Sequence, residues 1–133
     1  MGYNAAMRSA KLEPRACWVE HENQITPQWV AENVFRLHDA DAIFTLNWVC
    51  TMAALRCLRE LGKTVGRDLA MLSFDDFDLA DMLTPGLSVI VQPSEQIGRE
   101  AAILLFDRLR GEDGPFRSVV LKANLVIRQS CGC

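Results

Sequence analysis

The sequence predicts an α/β protein built on a parallel sheet, and three observations carry that expectation. Two strand-like runs, Ala42 to Asn47 and Leu69 to Asp76, each end in bare polar residues. Between them lies a well-patterned helix, Trp48 to Leu61, closed by Gly62. A strand, a helix of about four turns and a second strand form a unit that requires parallel pairing. Both carboxyl ends then point the same way, toward the edge where open α/β sheets place ligand-binding groups. Asn47 and Asp75 are therefore the residues this chain offers to a ligand.

Taken in order, residues 3–12 read as helix, with Ala5, Ala6 and Ala10 and no breaker until Pro14. Arg15 to Glu20 is a short apolar run expected as a strand, and His21 to Gln24 is the polar loop after it. Thr26 as N-cap and Pro27 at the first helical position open the next helix. Trp29, Val30, Val34 and Leu37 give it an apolar face, with Phe35 alongside, and His38 to Asp41 turns into the Ala42 strand. On the central helix Val49, Met52, Leu55, Leu58 and Leu61 follow helical spacing, while Arg56, Arg59 and Glu60 lie off the stripe. Gly62 is its natural C′ residue.

Past Asp75 and Asp76, an acidic-apolar segment from Phe77 to Leu83 is stopped by Thr84, Pro85 and Gly86. Ser88 to Val91 reads as a further strand. Pro93 starts a long helix with Ile97, Ala101, Leu104, Leu105 and Leu109 expected inward and Gly111 ending it. From Arg117 to Arg128 the chain alternates, with Val119, Leu121, Leu125 and Ile127 on one side and Lys122, Asn124 and Arg128 on the other. That pattern predicts an edge or hairpin strand with one wet face.

At 133 residues, half of them apolar and 23% charged, the chain is ordinary for one soluble domain. A net charge of -3 and scattered Lys and Arg argue against its gripping nucleic acid by itself. No apolar run is long enough for a membrane helix, and the start shows no basic segment followed by an apolar one. Cytoplasm is the expected compartment. The five cysteines, Cys17, Cys50, Cys57, Cys131 and Cys133, are irregularly spaced and read as reduced thiols. Cys131 and Cys133 alone do not make a metal site and are taken as tail.

Gly62, Lys63 and Thr64 look like the end of a phosphate-binding loop. The pattern needs a glycine where Cys57 stands, and a loop preceding a helix rather than following one, so it is rejected. Asp75, Asp76, Asp78 and Asp81 read as a solvated loop and helix start rather than a cation site. His21 and His38 both fall in loops, no nucleophile elbow is present, and neither enzymatic activity nor a cofactor is expected. Asn47 and Asp75 together donate to and accept from adjacent hydroxyls, which suits neutral polyols. The competing reading is that each caps the helix after it. Trp48 either stacks on a ligand or packs into the seam between sheet and helix.

Several ordered blocks carry a resemblance: Ala42 to Asn47, Met52 to Gly62, Leu69 to Asp76, Leu83 to Pro93, Ile97 to Ala102, Leu104 to Leu109 and Leu121 to Cys131. Together they resemble the effector-binding domain of lactose-repressor/galactose-repressor (LacI/GalR) type transcription regulators, closely over 42–131 and loosely over 2–41. The resemblance implies the periplasmic-binding-protein-like type I fold, a parallel-sheet sandwich of two α/β subdomains clamping a sugar or nucleoside-type metabolite. It implies that Asn47, Asp75 and Asn23 contact ligand, and that Met52 and Leu83 lie near a homodimer interface. Asn47 is followed by Trp48 where the family has Asp, and Ser73 stands where it has Gly.

The family's DNA-reading segment and most of its first subdomain have no counterpart here, so a partial, mostly C-terminal piece is expected. Residues 1–87 and 116–133 are assigned to the C-terminal subdomain, and 88–115 to a strand and helix crossing to the other. Operator DNA would then be reached only through a separate N-terminal domain. A sugar-binding protein of a transport system shares this fold and is the alternative. A small α/β enzyme is a third class, for which the residues supply no nucleophile or cofactor loop.

Overall fold

A computed structural model describes residues 2–36 and 39–132. Leu37, His38 and Cys133, which the sequence places in a helix, a turn and the tail, lie outside the described residues. Helix α1 (Gly2–Ser9) is followed by extended chain and a 3-10 turn at Glu22–Gln24. Helix α2 (Pro27–Val30) continues as a π-helical stretch, Ala31–Arg36. Then come β1 (Ala42–Thr45), α3 (Trp48–Glu60), β2 (Ala70–Phe74), β3 (Ser88–Val91), α4 (Ser94–Leu109) and β4 (Asn124–Val126).

The strands form one sheet in the order β1-β2-β3-β4. β1 pairs parallel with β2, and β2 parallel with β3, while β4 runs antiparallel on β3. The strand–helix–strand inference from residues 42–76 therefore holds in detail. Helix starts and stops also form as the residues dictate. Thr26 Oγ1 accepts from Trp29 N at 3.1 Å with Pro27 next in line, satisfying a donor that the first helical turn would leave open. At the far end of α3, Gly62 takes φ +64, and Lys63 N donates back to Leu58 O at 2.9 Å.

The core gathers Val30 of α2, Ala53, Ala54 and Cys57 of α3, Met71 of β2 and Leu87 and Val89 around β3. The buried face of α3 differs from the expected stripe. Thr51, Ala53, Ala54, Cys57 and Leu58 are buried, whereas Val49, Met52 and Leu55 are half-buried and Leu61 is exposed. Small residues let the helix lie close on the sheet, and the larger apolar ones fill its flanks.

Three expected features are corrected. Arg15–Glu20 forms no strand: the Tyr3 hydroxyl holds Arg15 by both its backbone groups, and Cys17 Sγ donates to Asn33 O. Those contacts tie the segment to α1 and the π-helical stretch instead of to β1. The run 117–128 is a strand only at Asn124–Val126, because β3 offers just three register partners. Within it Val126 packs on the core, and Leu125 and Ile127 are exposed, the reverse of the expected facing. Finally, α4 buries no residue; Ile97, Leu105 and Leu109 are exposed rather than inward. Of the segment 88–115 assigned to another subdomain, β3 lies within this sheet, and α4 projects from it.

Just before the residues taken as tail, the chain is bound into the sheet. Ser130, fully buried, donates from Oγ to Met71 O at 2.7 Å and accepts there from Ser88 N at 2.7 Å. This staples β2 and β3 together at their amino-terminal half.

Candidate functional site

Three successive parallel strands end along one edge, and a polar residue follows each. Thr45 and Ser73 are register partners, so Asn47 and Asp75 stand level on strands about 4.8 Å apart. Ser73 in turn pairs with Val89, which places Gln92 just past the end of β3 on the same edge. A cavity of about 300 Å³ opens there, lined by Asp75, Asp76, Val91, Gln92 and Ser94.

Asn47 is the N-cap of α3: Oδ1 accepts from Cys50 N at 2.9 Å. Its Nδ2 donates to Glu22 Oε1 at 2.9 Å, which draws the 3-10 turn carrying Asn23 up to this end of the sheet. One N–H of the Asn47 amide is left over after these two bonds. The capping reading is thus correct for Asn47, and Asn47 does not line the cavity. Asn23 is exposed on its turn. Trp48, 56% exposed, does not fill the seam between sheet and helix.

Asp75 caps nothing. It adopts a left-handed backbone, φ +74, that residues with a Cβ enter at a cost. Its N donates to Ile90 O at 3.0 Å, and its Oδ1 accepts a hydrogen bond from Gln92 Nε2. Oδ2 stays open as an acceptor. Asp76 turns the other way: its Oδ1 accepts from Phe77 N at 3.0 Å, and Arg128 Nη2 lies 3.6 Å from its Oδ2. Among the described residues no three of His, Cys, Asp and Glu gather closely enough to hold a metal ion.

Beneath this edge lies a buried hydroxyl cluster. Thr51 Oγ1 is 2.8 Å from both Thr45 Oγ1 and Ser73 Oγ and donates to Asn47 O at 2.9 Å. It joins the strands that end in Asn47 and Asp75 to the helix between them.

Sequence reasoning placed Asn47 and Asp75 correctly at one edge but missed Gln92 and Glu22. Gln92 carries a usable signal, a polar residue directly after an apolar strand and before a proline. Glu22 has none, since its role depends on where the turn folds back. Met52 and Leu83 are half-buried, with Leu83 packed on the core. A second cavity, about 480 Å³, lies near α1 between Arg8, Glu13 and Trp18 and contains no expected site residue.

Comparison with known proteins matches residues 1–131 to the periplasmic binding protein-like domain family. The HTH-type transcriptional regulator PtxS of Pseudomonas putida is 41% identical over 70% of this chain and 27% of its own length. The HTH-type transcriptional regulator CelR of Thermobifida fusca is 35% identical over 97% of this chain and 39% of its own. The chain thus spans well under half of these relatives. Among solved structures, a transcriptional regulator CelR–cellobiose complex superposes with a TM-score of 0.82 at 32% identity, over 97% of this chain and 40% of that one. No helix among the described residues is long and apolar enough to cross a membrane.

Proposed function

This chain belongs to the periplasmic-binding-protein-like domain family, in the form carried by lactose-repressor-type transcription regulators, and we propose that its sheet edge senses a neutral, sugar-like effector. The observation that carries this reading is the convergence of Asn47, Asp75 and Gln92 past the ends of three adjacent parallel strands. Once their internal bonds are made, they leave a spare Asn47 amide N–H, the Asp75 Oδ2 acceptor and the Gln92 side-chain oxygen Oε1. A donor and acceptors along one sheet edge suit the hydroxyls of a neutral polyol. Carboxylates of Glu22, Asp75 and Asp76 along the same edge disfavour a phosphorylated or acidic ligand.

In the whole regulator, an effector that prefers one closure of the cleft would shift a dimer between DNA-competent and incompetent arrangements. Met52 and Leu83 mark the proposed dimer face, and Asn23 a further effector contact. Operator binding is assigned to a separate domain, and the compartment to the cytoplasm. The exposed apolar residues of α4 support its packing on another subdomain, while β3 belongs to this sheet. That CelR is solved with cellobiose supports a carbohydrate as the class of effector.

The test is calorimetric titration of neutral mono- and disaccharides, cellobiose included, against the chain and its Asp75→Ala variant. Binding by the unaltered chain and none by a folded variant is expected. Equal affinity in the two would overturn Asp75 as a contact.

A further inference from the structure

Asp75 occupies a left-handed backbone conformation that a side-chain-bearing residue enters at a cost, so its surroundings must hold it there. Both of its described partners come from one stretch of chain, Ile90 O at the end of β3 and the Gln92 amide two residues later. Gln92 is also the last residue before Pro93 and α4, and its carbonyl accepts from Ser94 N at 2.9 Å. Helix α4 buries no residue, so its orientation is set by its two chain connections, this short one and the return to β4. One side chain therefore touches the ligand-facing carboxylate from one of the two segments that aim α4.

We propose that Gln92 is a positioning residue: its amide fixes the Asp75 carboxylate with Oδ2 open to ligand and ties that carboxylate to the orientation of α4. The amide must present Nε2 to Asp75, which leaves Oε1 facing away as a second acceptor. An effector donating to Oδ2 withdraws charge from the same carboxylate and weakens its grip on Gln92. Occupancy of the sheet edge is thereby passed to the helix. The ligand half of this inference rests on the function proposed above; the Gln92–Asp75 coupling does not.

The experiment is a double-mutant cycle with Gln92→Met, which keeps length and removes the amide, and Asp75→Ala, which removes the acceptor. Urea unfolding is followed without ligand, together with the NMR resonances of the Gln92 side-chain amide. The expected result is a distinct, slowly exchanging Gln92 amide that collapses to the solvent-exposed position in Asp75→Ala, and non-additive stability losses. Additive losses with an unchanged Gln92 resonance would overturn the coupling.

In the ligand arm, cellobiose and other neutral sugars are titrated into the same set. Gln92→Met should weaken whichever sugar binds about tenfold. Full affinity in Gln92→Met would overturn the positioning role. Failure of the unaltered chain to bind any sugar would overturn the ligand half alone, since the cycle without ligand reads the coupling independently.

Discussion

Replacing Thr51 by Val keeps shape and removes one hydroxyl from a fully buried position. That hydroxyl has a single proton, which goes to Asn47 O at 2.9 Å. Thr45 and Ser73, each 2.8 Å away, must then donate to Thr51 Oγ1, which uses both of its lone pairs. After the substitution Asn47 O loses the hydroxyl donor and keeps only Thr51 N at 3.1 Å. Thr45 falls back on Leu72 O at 3.4 Å, and Ser73 on Phe74 O at 3.2 Å. One bond is lost outright and two are exchanged for longer ones. At about 1 kcal/mol per net bond the cost is about 2 kcal/mol, partly offset because Val itself is at home in a core. For a chain of this size that lowers the thermal midpoint by about 6 °C. Urea unfolding monitored by circular dichroism reads it directly. A second change, Thr45→Val, should cost much less in the Thr51→Val background than alone. A Thr51→Val loss below about 0.5 kcal/mol, or full additivity, would refute the hydroxyl cluster as the joint beneath the sheet edge.

Two further predictions concern the loop before β2. Arg67 donates to Asp68, and Thr64 N adds a bond at 2.7 Å, which together hold the Asp68 carboxyl down at about 2, below its ordinary 3.8. The stabilisation is fully present above about pH 4 and is lost as pH falls toward 2. Asp68→Asn should therefore flatten the acid limb of a thermal-midpoint profile between those values and leave its neutral region parallel. Gly66 has φ +80, and a Cβ there would lie 2.8 Å from Gln129 O. Gly66→Ala should cost about 2 kcal/mol or more in urea unfolding, whereas Gly62→Ala, which meets open space, should cost only about 1 kcal/mol for its left-handed backbone.

Local chemistry was legible wherever one residue decides the outcome. Thr26 before Pro27, Asn47 before a helical stripe and Gly62 after it each satisfy or release specific backbone groups, and each behaves as its type dictates. The parallel order of β1 and β2 followed from one helix lying between two strands. What the residues could not disclose is what covers an apolar face. The alternation of 117–128 marks two sides, yet Val126 faces the core while Leu125 and Ile127 face out. The stripe of α4 is equally regular and equally uncovered among the described residues. Periodicity records that a face is apolar; the partner that buries it lies elsewhere in the fold or beyond it.

The site shows the same division. Polar residues at the ends of parallel strands pointed to Asn47 and Asp75 because the sheet topology alone brings them level. Whether a side chain is free to bind is a matter of hydrogen-bond accounting, and that required coordinates. Asn47 turned out largely committed to Cys50 and Glu22, and Asp75 to Gln92 through only one oxygen. Its left-handed backbone has no signature in the run of residues preceding it.

The edge formed by Asn47, Asp75 and Gln92 is the proposed seat of a neutral sugar. Its most direct test is a backbone-amide NMR titration of the chain with cellobiose and other neutral sugars at millimolar concentration. Saturable shifts centred on residues 22–23, 46–48, 75–76 and 91–94 are the predicted result. Shifts centred instead on Arg8 and Trp18, or none from any sugar with a folded chain, would contradict it.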